Sequence, residues 1–160
     1  YAFWTKDSRE FLNMSRKRYK RIVRMPDNST LHRYYDALDT PRPESYREDV
    51  ETAEGSEKPG VIYRHLRAAA ESGWDFSSRW FADPNDIKTI RTTETVPIDL
   101  NCLLYELELA LAETHKKLLQ LPLSAYYSRK AEKRRHRKTG FLGIECIARR
   151  GILRRDASSD

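Results

Sequence analysis

Apolar residues recur at helical spacing in two stretches of the chain. Over residues 61–71, Ile62, Leu66, Ala69 and Ala70 share one stripe, with Arg64, His65 and Arg67 off it. Gly73 follows, placed to end that helix in a left-handed conformation. His65 then reads as a surface or hydrogen-bonded residue rather than a catalytic one. Over residues 100–119, Leu103, Leu104, Leu107 and Leu111 predict a core-facing stripe that Leu118 continues. Leu109 and Ala110 broaden it, Asp99 stands where a cap belongs, and Pro122 marks the stop. No strand alternation of comparable strength and no internal repeat occurs. The pattern predicts a mainly α architecture with long ordered loops.

Between and around these helices the chain is punctuated. Residues 1–15 read as an extended or loop segment with aromatic anchors. Residues 16–24 hold six basic residues among nine, interrupted by Tyr19, Ile22 and Val23. They read as a solvated hairpin arm or loop, with phosphate or anionic-surface binding as the alternative. Pro26-Asp27-Asn28-Ser29 signals a turn. Pro41 and Pro43 stiffen residues 40–45 into an extended loop that holds Arg42 and Glu44 in fixed directions. Residues 51–60 read as a surface loop. A helix starting near Ser124 turns strongly basic, and residues 139–160 show no amphipathic period.

Charge sharpens that division. The 160 residues carry a formal net charge of +6, but residues 1–125 hold 19 basic against 20 acidic residues. Residues 126–160 hold 11 against four. A uniformly basic nucleic-acid-binding domain is therefore a poor description, and nucleic acid is not an expected partner. No apolar run reaches the roughly 18 residues that a membrane crossing needs, and no signal-peptide pattern lies in this segment. Cys102 and Cys146 form no CxxC pair and lack matching His spacing, so they read as two free buried thiols. Neither a metal nor a cofactor is expected. The triplets Asn13-Met14-Ser15 and Asn28-Ser29-Thr30 suit glycosylation, which tilts the expectation toward secretion or the outer side of a membrane.

The densest chemistry lies at residues 72–80, where Trp74, Phe76 and Trp80 surround Asp75. Indole faces stack on sugar rings or bases. A carboxyl partly desolvated by such neighbours gains the proton affinity of a general acid, and Arg79 is placed to tune it. The other reading makes Trp74 and Trp80 core residues, with Asp75 and Arg79 a structural pair. Arg42 and Glu44 form a second group. At alternate positions on an extended segment they point to the same side and suit diol recognition; a loop salt bridge is the other reading. Asp75 and Glu44 together suggest a glycosidase, which for inversion needs carboxyls ~6.5–9.5 Å apart. No phosphate-binding glycine loop occurs, and Ser77-Ser78 lacks a nearby His.

These segments resemble the trehalase family of glycoside hydrolases. The likeness runs in order through Tyr1-Ala2-Phe3-Trp4-Thr5, Arg33-Tyr34-Tyr35 and Pro41-Arg42-Pro43-Glu44-Ser45-Tyr46-Arg47-Glu48-Asp49-Val50-Glu51. It continues through Ala70-Glu71-Ser72-Gly73-Trp74-Asp75-Phe76-Ser77-Ser78-Arg79-Trp80, Thr92-Thr93 and Val96-Pro97-Ile98-Asp99-Leu100-Asn101, covering roughly residues 1–130. The resemblance implies a partial (α/α)6 barrel, an incomplete toroid, and hydrolysis of α,α-trehalose to two glucoses with inversion. It implies that Asp75 is the general acid, that Arg42 and Glu44 line the sugar pocket, and that Gly73 lies beside the acid. Glu44 is then a recognition residue and not the base.

No motif matching the family's general base, a Glu in its C-terminal portion, follows here. A Pro-Gly-Gly-Arg-Phe string and a Gln-Trp-Asp string of the family are also missing. The expectation is a middle slice of a barrel: residues 1–135 as a partial catalytic domain, inactive alone and with inner apolar helix faces exposed, and residues 136–160 as a basic, disordered tail. The alternative function is a non-catalytic interaction or regulatory protein that uses the truncated barrel surface and this tail.

Overall fold

The computed structural model describes residues 1–15, 17–26 and 28–141. Of the tail expected to be disordered from residue 136, residues 136–141 lie in the last helix and the remainder lies outside the described residues. Helices dominate, as the apolar periodicity predicts. The chain divides into two compact units, Tyr1–Pro97 and the part from Ile98 onward.

The first unit opens with two short helices, α1 (Ala2–Thr5) and α2 (Ser8–Leu12), where the sequence suggested a loop. A three-stranded antiparallel sheet follows, β1 (Arg18–Tyr19), β2 (Ile22–Arg24) and β3 (Thr30–His32), in the order β1-β2-β3. These strands are too short to produce a legible alternation. The hairpin expected of the basic run is there: Tyr19 pairs with Ile22 across the turn residues Lys20 and Arg21, with Lys20 at φ 47°. Three of its basic residues are tied down, however, while Lys17 and Arg18 are exposed. Ile22 and Val23 are buried. Lys20 Nζ meets Asp7 at 3.1 Å. Arg21 Nε donates to Glu71 at 2.8 Å, and Arg24 Nη2 donates to the Phe11 carbonyl at 3.1 Å.

A 3-10 turn at Pro43–Ser45 leads into α3 (Tyr46–Ala53), so the surface loop starts only at residue 54. Pro59 opens α4 (Pro59–Ser72), where its missing N–H costs no hydrogen bond. This helix buries His65, Leu66, Ala68 and Ala69. Phe11, Tyr34, Trp80 and Ile90 are buried as well, with the Tyr34 and Trp80 rings edge to face at 6.0 Å.

His65 is buried, not superficial. Its Nδ1 accepts the Thr93 backbone N–H at 3.2 Å, and the Thr93 hydroxyl lies 3.1 Å from the same nitrogen. The Thr93 carbonyl accepts from Arg33 Nη1, and Arg33 Nε donates to the Lys20 carbonyl at 2.8 Å. Burial, with a smaller contribution from Arg18, pushes the Arg33 guanidinium down to about 10.

The second unit is a helical hairpin of α5 (Ile98–Lys117) and α6 (Leu121–Phe141). Its α5 seam is Leu100, Asn101, Leu104, Glu108 and Ala112, and α6 contributes Ala131 and Arg134. Of the four leucines expected to face the core, only Leu104 is buried; Leu103 is 66% exposed and Leu107 is exposed too. The seam runs one position later because the α6 guanidinium needs Glu108 inside. Arg134 forks onto it, Nε to Oε2 at 3.0 Å and Nη2 to Oε1 at 2.9 Å, and Nη1 reaches Asn101 Oδ1 at 3.1 Å. Pro122 does not end α5. The turn does, through Leu119 at φ 58° and the Gln120 N–H on the His115 carbonyl at 2.8 Å; Pro122 lies in the first turn of α6. Cys102 is disulfide-bonded, not the free thiol expected, and Cys146 lies outside the described residues. No helix among the described residues is long and apolar enough to cross a membrane.

Two stability predictions follow from these buried groups. Burial, aided by Arg64 and Arg33 and opposed by Glu94, pushes the His65 imidazole below its ordinary 6.5. Just below pH 6.5 the unfolded chain then binds the proton more readily than the folded one, so stability is full above that pH and is lost as pH falls toward the folded value. The urea midpoint should drop between pH 7.5 and 5.5, and the drop should be smaller in His65→Gln. Replacing Arg134 by Ala leaves Glu108 buried without its countercharge and should cost about 3–5 kcal/mol. The double change Arg134→Met with Glu108→Leu should cost far less in the same urea titration.

Candidate active site

Gly73 ends α4 in the left-handed conformation that the sequence predicted, at φ 68°. The chain then closes a tight turn over Trp74-Asp75-Phe76-Ser77, with the Ser77 N–H on the Trp74 carbonyl at 3.2 Å. Asp75 stands at its second position and is exposed. That corrects the partly desolvated pocket expected for it: the aromatic neighbours flank the carboxylate without covering it. Phe76, the third turn residue, has φ 54°, a region costly for a residue with a Cβ. The turn therefore depends on its surroundings to keep this shape.

Three contacts hold it. Ser72 Oγ accepts the Trp74 N–H at 3.0 Å. Trp80 is part of the core, and its indole N–H donates to the Trp74 carbonyl at 2.9 Å. The Arg42 guanidinium lies over the Phe76 ring, 4.9 Å from its centroid. The two tryptophans thus take different parts. Trp80 anchors the turn from within, while Trp74 is 53% exposed with the Arg79 guanidinium stacked 4.4 Å from its ring. Phe76 is 39% exposed beside it. An open carboxylate bordered by two accessible aromatic faces is a surface that suits a polyhydroxylated ring.

Arg42 and Glu44 are not arranged as an extended pair. Arg42 is extended at φ −72°, ψ 137°, but Glu44 already lies in the 3-10 turn and is exposed. Arg42 turns inward instead, onto Asp49 of α3. Nη2 meets Oδ1 at 2.7 Å, Nε meets Oδ2 at 3.0 Å, and the Arg42 backbone N–H also reaches Oδ2 at 2.8 Å. Both side chains are buried. These hydrogen bonds raise the proton affinity of the guanidinium, and the Glu44 and Asp75 carboxylates add to the effect. Arg42 is therefore within electrostatic reach of both Glu44 and Asp75. Sequence reasoning missed Asp49. The available signal was an acid in the first turn of a helix, seven residues beyond an arginine held by two prolines. Among the described residues no group of three or more His, Cys, Asp or Glu side chains is placed to hold a metal ion.

The trehalase family model matches residues 1–142. This chain belongs to the trehalase family. The match reaches about a dozen residues further than the motifs alone suggested, through the basic stretch of α6. Membership makes the chain a trehalase-type glycoside hydrolase in lineage, with trehalose as the substrate that the family implies. Within this family member, Gly73, Asp75, Arg42 and Glu44 come from two separate loops, the end of α4 and the entry to α3, and Arg42 over Phe76 bridges them.

A Cβ on Gly73 would meet no atom within 4 Å, so only the backbone conformation resists one. Gly73→Ala should cost about 1 kcal/mol from the left-handed φ. A thermal melt should show a midpoint lower by roughly 2–4 °C.

Proposed function

We propose that this chain carries the acid side of an inverting α,α-trehalase site, on helices that belong to an (α/α)6 barrel. Asp75 donates a proton to the oxygen that joins the two glucose units. Arg42 and Glu44 hold sugar hydroxyls, the guanidinium as donor and the carboxylate as acceptor. Gly73, without a side chain, leaves the sugar free approach to the acid. The observation that carries this reading is the Arg42 guanidinium over the Phe76 ring, which links the loop that bears Glu44 to the turn that bears Asp75, beside the exposed Trp74.

Inversion needs a second carboxylate, on the opposite side of the sugar, to activate water. No motif for that base accompanies the acid in this sequence. The chain by itself is therefore expected to bind trehalose and not to hydrolyse it. Incubated with trehalose, the purified protein should release no glucose above buffer. Turnover abolished by Asp75→Asn would keep Asp75 as the acid and overturn the inactivity. In ligand-observed NMR, trehalose should show weak, saturable binding that Arg42→Ala removes; a chain that binds no trehalose would refute the sugar site.

A further inference from the structure

Arg42 is the only residue in this group whose side chain is fixed on more than one side, and what fixes it has no assigned role. Asp49 takes the Nε and Nη2 edge through two parallel charge-assisted bonds. The Phe76 ring takes one face of the guanidinium. Among the described residues no hydrogen bond engages the third edge, at Nη1, and Arg42 as a whole is 5% exposed. A planar guanidinium clamped on one edge and one face has a single direction left for its remaining donors.

We infer that Asp49 is a positioning residue of the sugar site: it sets Arg42 so that only the Nη1 edge is offered to a hydroxyl of the bound sugar. Phe76 carries the same alignment to the acid, because its ring contacts Arg42 and its backbone follows Asp75 in the turn. Asp49 itself touches no sugar in this arrangement. A further hydrogen bond, from the Arg42 backbone N–H, fixes the base of the same side chain, so one carboxylate determines both where the arginine starts and where it ends. An exposed arginine would have to be ordered by the ligand on binding; a clamped one is ordered beforehand.

This inference rests on the trehalose reading above, and its test separates the two. In the 160-residue chain, Asp49→Asn keeps the shape of the side chain and removes the charge that holds the fork. It should weaken trehalose binding about tenfold, with the far-UV circular dichroism unchanged. Equal affinity in the folded variant would overturn the positioning role and leave the trehalose site standing. Because loss of a buried countercharge can also unfold a protein, a second measurement uses the wild-type chain. In 15N-resolved NMR, trehalose should shift the Arg42 Nη signals and leave the Nε–H signal, held by Asp49, in place. A shift mainly at Nε–H, or no response at Arg42 while trehalose binds, would overturn the inference. Absence of any trehalose binding would overturn the site and the positioning role with it.

Discussion

An arginine cannot be taken out of water without a partner that matches its fork, and that requirement organises the first unit of this protein. Arg42 leaves a proline-stiffened loop and is buried, so the chain must deliver a carboxylate to it. It does so by beginning α3 immediately afterwards, which brings Asp49 back within 2.7 Å of Nη2. The pair thereby ties the loop to the helix. It also fixes the height at which the guanidinium meets Phe76, and through Phe76 the turn that displays Asp75. A carboxylate chosen for burial thus has its consequence at an exposed acid in another loop.

The exposed turn complements that buried pair. Phe76 sits at a positive φ that an isolated peptide would avoid. The conformation persists because the indole of Trp80 is locked in the core and donates to the turn's first carbonyl. Asp75 is accessible but not free to wander, since each residue beside it is held: Trp74 through both its N–H and its carbonyl, Phe76 through Arg42. Rigidity beside solvent suits the proton donor proposed for Asp75, because orientation ahead of binding lowers the cost of reaching the reacting geometry.

How much of this was legible in the sequence depends on the range of the interaction. The helix α4 and its glycine stop are local and appear where the pattern put them, but the buried stripe keeps only Leu66 and Ala69 of the four expected residues and takes in His65 and Ala68. The α5 seam was read one position off, because apolar periodicity alone favoured Leu103 and Leu107 over Glu108. Nothing local says that a glutamate will be the inside residue; the reason is Arg134, 26 residues away. Of the small sheet only the β1–β2 hairpin was legible, because two- and three-residue strands carry no period. Asp75, Arg42, Glu44 and Gly73 came to notice through motif resemblance and chemistry. Asp49 lay in the same matched string and still went unremarked, since its part is visible only once Arg42 turns inward.

The arginines also show why a local count of positive charge says little about partners. A run with six basic residues in nine looks like an anionic-surface patch. In the folded unit Lys20 meets Asp7, Arg21 meets Glu71 from 50 residues away, and Arg24 donates to the carbonyl of the buried Phe11 in α2. Arg33 spans further, joining the Lys20 carbonyl to that of Thr93, 60 residues on. These guanidinium groups serve as long, multi-donor struts between distant segments, a use that suits arginine better than lysine because its fork satisfies two acceptors at once. A count of positive residues cannot distinguish a strut from a docking surface. The carboxylate or carbonyl at the far end of each side chain does, and at Arg42 that far end is Asp49, which leaves one edge of the fork for a ligand.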